Sequence, residues 1–316
     1  MNRISIIIPT RNRPEQLIDA LSKLISCGAI LSEMEIIVVD DGSDPAVMDR
    51  NREICSKFKE KINYIPSAKR GPASARNTGI RAASSNIIFF TGDDILVSPD
   101  TLIEHLRFHE KDYPGEEYAM VGAIVWEKSI ARNSLHRFLD EAEFQFKKTE
   151  GSKNYETDFH NFYSSNLSLK KSFVVKNNIF FDEKFPAAAW EDIEFGYRLE
   201  KAGMKIVFNQ NAVVEHNHRQ ELSRLLARME TSGRALRIFL AKWPEVAAIY
   251  GYESKDGKLV LKKKFIKRAI RNRFTAGIVE KILAKKNPDD EISGLLAFFA
   301  KNTFLYHLHK GFDEGI

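Results

Sequence analysis

Cysteine is nearly absent from this sequence. Cys27 and Cys55 are the only two among 316 residues, and their spacing is not that of a metal site. A disulfide framework and a cysteine-built metal centre are thereby excluded, and a reduced, cytoplasmic setting is the expectation. Long hydrophobic runs are missing as well. No stretch approaches the roughly 20 apolar residues that span a bilayer. The apolar run of Met1–Pro9 is too short for a signal peptide, is broken by Pro9, and precedes no small-residue cleavage site. Internal repeats and low-complexity tracts are lacking. The formal net charge is only +5. Its basic residues are not interleaved with aromatics on a recognisable module, so no nucleic-acid partner is expected. There is no Ser or Cys nucleophile motif either. What remains is an ordinary globular composition, 43% hydrophobic and 29% charged, long enough for one large α/β domain with a helical extension.

The first third alternates between two periodicities. Ile4–Ile8, Glu35–Val39, Ile62–Ile65 and Ile87–Phe90 read as short buried strands. Helices are predicted between them: Pro14–Leu24, with Leu17, Ile18, Leu21 and Leu24 on one face, then about residues 45–60, then Ala73–Ala83. Such alternation implies a mostly parallel sheet with right-handed crossovers, and ligands beyond the carboxyl ends of its strands. From Leu102 to about His218, helices mix with short strands, among them Met120–Val125, Lys205–Phe208 and Ala212–Val214. This part reads as an extension of the same sheet, not as a separate domain. Beyond Gln220 the pattern is helical, with Leu222, Leu225, Leu226, Met229, Leu236, Phe239, Leu240 and Trp243 at helix spacing. Pro244 ends that helix.

Five clusters carry chemistry, and each has a plainer alternative. Thr91-Gly92-Asp93-Asp94 closes a strand with two carboxylates, expected to be exposed. A hard divalent cation takes one or two such carboxylates and completes its shell with phosphate and water. The alternative is a polar turn capping the next helix. Asp40-Asp41-Gly42-Ser43 offers a carboxylate to a base N–H or a ribose hydroxyl, or is an Asp-Gly turn. Gly71–Gly79 opens a helix bearing Arg76 and Asn77. Arg76 suits a phosphate or a nearby carboxylate, or a surface salt bridge. Glu191-Asp192 supplies a general base for an acceptor hydroxyl, or caps a helix start. Glu215-His216-Asn217-His218 offers a neutral imidazole to a metal, or is polar surface in an exposed turn.

In order and context, across about residues 3–218, these clusters resemble the family-2 glycosyltransferases of GT-A fold. The matching motifs are Ile6-Ile7-Ile8-Pro9-Thr10-Arg11-Asn12, Val38-Val39-Asp40-Asp41-Gly42-Ser43 and Ala75-Arg76-Asn77-Thr78-Gly79. They continue with Phe89-Phe90-Thr91-Gly92-Asp93-Asp94, Ser165-Asn166-Leu167-Ser168, Phe181-Asp182-Glu183 and Glu191-Asp192. The resemblance implies a metal-dependent, inverting hexosyl- or N-acetylhexosaminyltransferase of polysaccharide or glycoconjugate synthesis. It implies Mg²⁺ or Mn²⁺ as cofactor, a nucleotide diphosphate sugar, by default a UDP-sugar, as donor, and a saccharide or lipid-linked acceptor.

Carried over residue by residue, Asp41 resembles the carboxylate that reads uracil. Pro9, Thr10 and Arg11 lie where the chain passes the nucleotide, and Arg76 beside its base or phosphates. Asp94 matches the last Asp of the family's Asp-X-Asp motif and Asp93 the middle one. Gly92 replaces the first, which leaves the ribose contact unassigned. Asp192 resembles the catalytic base, with Glu191 close by for the acceptor, and His216 resembles a metal ligand found in some members. The competing readings are a non-catalytic nucleotide-sugar-binding protein, which would lose Asp94 or Asp192, and a nucleotidyltransferase, which would want a Gly-rich loop where Pro9–Pro14 stands.

Two domains are expected, a catalytic part over 1–218 and a helical part over 219–316. In the latter, Leu261–Arg273 holds seven basic residues and no acidic one, with Phe265, Ile266, Ala269, Ile270 and Phe274 at helix spacing. Such a helix suits the inner face of an anionic membrane. Packing on the catalytic domain or on a second subunit of a homodimer is the other reading.

Overall fold

The apolar run that follows the N-terminus becomes the centre of a sheet. Ile4, Ile6 and Ile7 are fully shielded from solvent, as a central strand covered on both faces requires. The computed structural model describes residues 2–58, 62–68, 71–131, 133–144, 146, 154–185, 189–255, 258–261 and 270–314. Contacts divide the chain into two units. One is Met1–Glu127 with Phe146–Pro186 and Glu191–His218; the other is Lys128–Gln145 with Ala187–Trp190 and Arg219–Ile316. Lys128–Gln145 therefore groups with the C-terminal part.

Among the described residues the first unit carries nine strands: β1 (Ile4–Thr10), β2 (Met34–Asp41), β3 (Ile62–Ser67), β4 (Ile87–Phe90), β5 (Ile95–Val97), β6 (Tyr118–Trp126), β7 (Asn154–Thr157), β8 (Leu167–Lys170) and β9 (Lys205–His216). Their order is β3-β2-β1-β4-β8-β6-β9-β5, with β7 also on β9. β1 pairs in parallel with β2 and β4, and β2 with β3. β8 runs antiparallel between β4 and β6, and β5 and β7 run antiparallel to β9. Since β6 and β9 are parallel, six of the nine strands share one direction and the sheet is mostly parallel.

Helices Pro14–Ile25, Pro45–Ser56, Pro72–Ala82 and Pro99–Arg107 each begin on a proline. There the missing N–H costs nothing and φ is already helical. Leu17 and Leu21, one turn apart, meet Ile6, Ile8, Val38 and Phe89 in one buried cluster. Helix Pro72–Ala82 approaches β1 so closely that a Cβ on Gly79 would collide with Ile7 Cγ2.

β9 is longer than expected. The polar stretch Asn209-Gln210-Asn211 separates two apolar runs in the sequence, yet the strand continues through it. β6 pairs with both halves and absorbs the extra residues as a shift between Gly122 and Ala123.

In the second unit, helix Leu222–Lys242 stops before Trp243-Pro244, and helices Arg273–Ala284 and Gly294–Glu314 follow. The region is helical as expected, and it also holds an antiparallel pair at Tyr252–Lys255 and Lys258–Leu261. The signal was in the sequence: Asp256-Gly257 between two β-rich runs is a hairpin dipeptide. It also bounds the expected basic helix over Leu261–Arg273. Leu261 is a strand residue, and Asn272 caps a new helix by accepting from the N–H groups of Phe274 and Thr275. Residues 262–269 of that segment lie outside the described residues. Among the described residues, no helix is long and apolar enough to cross a membrane.

Candidate active site

The parallel strands β1, β2 and β4 are neighbours, so their carboxyl ends bring Thr10, Asp40-Asp41 and Asp93-Asp94 to one edge. Pro9 lies inside β1 opposite Val39, and Thr10 opposite Asp40. Arg11 follows, exposed.

Asp40 and Asp41 diverge in what they do. Asp40 is fully buried. It accepts from the Ser43 N–H, Asn51 Nδ2 and the Tyr64 hydroxyl, each at 2.8 Å. Burial works to raise its pKa, but these hydrogen bonds outweigh it and hold the carboxyl below its ordinary value. Asp40 is thus the brace of the strand end. Asp41 accepts from the N–H of Gly71, at 3.0 Å to Oδ2. Gly71 has φ +98, a conformation that glycine adopts without strain. This contact ties the start of helix Pro72–Ala82 to β2.

The acidic pair after β4 is the centre of the site, and it is not exposed as expected. Asp93 is buried, and its Oδ2 accepts from Thr10 Oγ1 at 2.8 Å. Asp94 directly precedes β5, and β5 pairs with the end of β9 so that Ile95 faces His216. This register sets Asp94 Oδ2 3.3 Å from His216 Nε2 and 3.1 Å from His218 Nδ1. One ligand atom from each of Asp94, His216 and His218 falls within 4.8 Å of the others.

The histidines are not an exposed turn either. His216 is the last residue of β9 and is buried, stacked on Trp126 at 4.9 Å with Phe146 edge-on at 5.7 Å. Arg13 completes the cluster, with Nη1 2.9 Å from Asp93 Oδ1 and Nη2 2.8 Å from Asp94 Oδ2, and Nη2 also touching His218 Nδ1. Burial, together with the charge of Asp94, pushes the Asp93 carboxyl up. Asp94 goes the other way: burial opposes its ionisation, but hydrogen bonds from His216 and His218 hold it well below the usual carboxylate range. One carboxylate and two imidazoles converging from separate strand ends fit a divalent cation, and the orphaned buried Nδ1 of His216 marks a ring whose hydrogen bonds are incomplete.

A second group forms around helix Glu191–Lys201. Arg76, expected beside the donor, lies 2.9 Å from Glu191 Oε1, both buried. Glu191, expected at the acceptor, is therefore held by Arg76. Burial first, and then the neighbouring Asp192, raise its pKa against the pull of Arg76. Asp192 is half-buried, and its Oδ2 faces the N–H and Oγ of Ser164 at 3.3 and 3.4 Å. Glu183 and the carbonyl of Phe181 both accept from Asn77 Nδ2 at 2.9 Å, which explains why Ala75–Gly79 and Phe181–Glu183 stand together as motifs. Asn166 bridges the carbonyls of Ala123 and Ala212 and faces His105.

Sequence reasoning did not single out Arg13, His218 or Ser164. His218 carried a signal, because a residue two beyond His216 on an extended chain returns to the same side. Arg13 stood in the loop after β1, a cation at an acidic edge. Ser164 had none, since its place depends on a helix 28 residues away.

A family model described as Glycosyl transferase family 2 matches residues 5–174. The uncharacterised glycosyltransferase YfnE of Bacillus subtilis is 25% identical over 68% of this chain and 64% of its own length. The hyaluronan synthase of Pasteurella multocida is 28% identical over 63% of this chain but 23% of its own length. The chain thus spans less than two thirds of these curated relatives. Among solved structures, the mannosyltransferase PcManGT of Pyrobaculum calidifontis, in complex with GDP-Man and Mn²⁺, superposes with a TM-score of 0.59 at 16% identity, covering 98% of this chain and 85% of that one. TarS 1-349 of S. aureus, in complex with UDP, gives 0.54 at 16% identity, covering 99% and 91%. The sheet order and these superpositions establish the GT-A fold, and by the match over more than half its length the chain belongs to glycosyl transferase family 2.

Proposed function

We propose that this chain transfers a sugar from a nucleotide diphosphate sugar to a hydroxyl acceptor with inversion at the anomeric carbon. The convergence of Asp94, His216 and His218 at the carboxyl edge of the sheet carries this reading. When bound there, a divalent cation would neutralise the charge that develops on the leaving diphosphate. Two imidazoles in the ligand set favour Mn²⁺ over Mg²⁺, whose preference is for oxygen alone.

The residues of the chain divide the remaining work. Asp192, half-buried at a helix start, takes the proton of the acceptor hydroxyl as it attacks. Ser164 steadies one of its oxygens, which orients the other. Asp41, a carboxylate at the carboxyl end of β2, suits the imino N–H of uracil, so UDP is the proposed nucleotide. The Arg76–Glu191 pair holds the base-bearing helix against helix Pro72–Ala82. Residues 1–218 would carry this chemistry.

The second unit is assigned to an anionic membrane surface, on the cytoplasmic side, where a lipid-linked acceptor would be found. Helix Arg273–Ala284 exposes Phe274, Ile278 and Ile282, at 77%, 46% and 47%, at four-residue spacing on one face. Lys281 and Lys285 share that face. The helix's single acidic residue, Glu280, instead meets His307 at 2.9 Å. An apolar stripe flanked by cations is the pattern of an interfacial helix.

A thermal-shift screen of nucleotide sugars, with and without Mn²⁺, tests the donor site. Occupancy raises the melting temperature in proportion to binding, and the expected result is a Mn²⁺-dependent rise with a UDP-sugar. No rise with any nucleoside diphosphate, with or without the ion, would overturn the proposal.

A further inference from the structure

Among the described residues Arg13 is the guanidinium that meets both carboxylates of the acidic pair, and its contacts define a competition. It precedes helix Pro14–Ile25 and lies in the loop after β1. Its two terminal nitrogens straddle two carboxylates, Nη1 on Asp93 Oδ1 and Nη2 on Asp94 Oδ2. The oxygen that Nη2 holds is the same Asp94 Oδ2 that faces His216 Nε2 and His218 Nδ1. Nη2 also touches His218 Nδ1. A divalent ion that takes Asp94 Oδ2 and His218 Nδ1 as ligands competes for the oxygen and the nitrogen that Arg13 holds.

We propose that Arg13 is a donor-binding residue that exchanges partners: it leaves Asp94 when the cation arrives and closes on the diphosphate of the donor, so that cation and nucleotide bind cooperatively. This rests on the reading of Asp94, His216 and His218 as cation ligands. Three physical points support it. First, a guanidinium keeps its charge at any working pH, so Arg13 cannot yield Asp94 by losing a proton. Once a doubly charged ion sits on the shared oxygen, repulsion drives the guanidinium to another anion. Second, the anion that arrives with such an ion is phosphate, and guanidinium grips phosphate oxygens with two parallel N–H donors. Third, the geometry supplies a pivot. Asp93 is anchored separately by Thr10 Oγ1 at 2.8 Å, so Nη1 keeps its partner while Nη2 swings. The Arg13 side chain is 29% exposed, which leaves it room to move, whereas Asp93 beneath it is buried.

The consequence is a penalty on binding the ion alone that disappears when nucleotide is present. It also explains a carboxylate pair with one of its two members outside the cation ligand set: Asp93 holds the arginine, not the metal.

Mn²⁺ titration followed by electron paramagnetic resonance tests this on the full chain, using UDP as the second ligand. Arg13→Met, Arg13→Lys and Asp94→Asn are compared with the native protein, with folding checked by circular dichroism. Without UDP, Arg13→Met should bind Mn²⁺ at least ten-fold more tightly than the native protein. The tightening of Mn²⁺ by UDP should shrink at least ten-fold in that variant. Arg13→Lys, which keeps the charge without the fork, should fall between, and it serves alone if Arg13→Met does not fold. Equal or weaker Mn²⁺ binding by both arginine variants, with undiminished coupling to UDP, would overturn the exchange while leaving the cation site standing. If the native protein binds no Mn²⁺ even with UDP, and Asp94→Asn changes nothing, the cation site falls and the exchange with it.

Discussion

Replacing Arg76 by methionine should be far more damaging than a salt-bridge count suggests. Arg76 and Glu191 meet at 2.9 Å with side-chain exposures of 11% and 3%. The pair joins two helices 115 residues apart in sequence, and the guanidinium lies 5.4 Å from the ring centre of Phe181. Methionine keeps the apolar stem and removes the charge. Glu191 is then buried without its ion-pair partner, and its Oε2 already lacks a hydrogen bond. Removing one member of a buried pair costs about 3–5 kcal/mol. At roughly 2–4 °C per kcal/mol for a domain of this size, the melting temperature should fall by roughly 6–20 °C.

Two controls separate this from lost packing. Glu191→Gln in the Arg76→Met background removes the stranded charge, so the double variant should regain most of the loss. The pH dependence has a definite sign. The Glu191 pKa is already raised by burial, and losing Arg76 raises it further. A folded state that holds the proton more tightly gains stability as pH falls. The deficit of Arg76→Met should therefore shrink as the solution is acidified through the raised pKa. Melting curves on the four proteins of the cycle, at pH 5 and pH 8, decide it. Additive losses, or a single-variant loss under about 1 kcal/mol, would refute the reasoning.

Asp192→Asn should leave UDP-sugar binding intact and lower turnover by about 10²–10⁴-fold; turnover within a few-fold of the native chain, measured by release of UDP, places the base elsewhere. Tyr64→Phe removes one donor from Asp40 and should cost about 1.5–3 kcal/mol near neutrality. Because the Asp40 pKa is depressed in the fold, this contribution exists above the unfolded value of about 3.9 and is lost as pH falls through the folded one. A denaturation difference that stays constant from pH 7 to pH 2 rejects the assignment. The protein should co-sediment with anionic vesicles at low salt and be released at high salt, each basic residue at the surface contributing about 1 kcal/mol; recovery in the supernatant, with light scattering showing a dimer, would make the Phe274–Ile282 stripe a subunit contact instead.

Local rules were enough to read much of this fold. Buried apolar runs ending at Pro9, Val39 and Phe90 set the parallel half of the sheet, and Pro14 marked where the first helix starts. Parallel strands place their carboxyl ends together, so Thr10, Asp41 and Asp93-Asp94 could be put on one edge from order alone. The environment of those groups was not legible. Whether Asp93 is exposed or buried, whether His216 ends a strand or lies in a turn, and which carboxylate receives Arg13 or Arg76 all depend on pairings between distant segments. β9 joined two apolar runs because β6 paired across the polar gap between them. Asp94 met His216 and His218 because β5 pairs with the end of β9, more than a hundred residues later. Sequence periodicity records which side of an element is apolar, and that suffices for elements and their layers. Contacts between side chains are set by register and crossover, which are fixed only when the whole chain has condensed into one sheet.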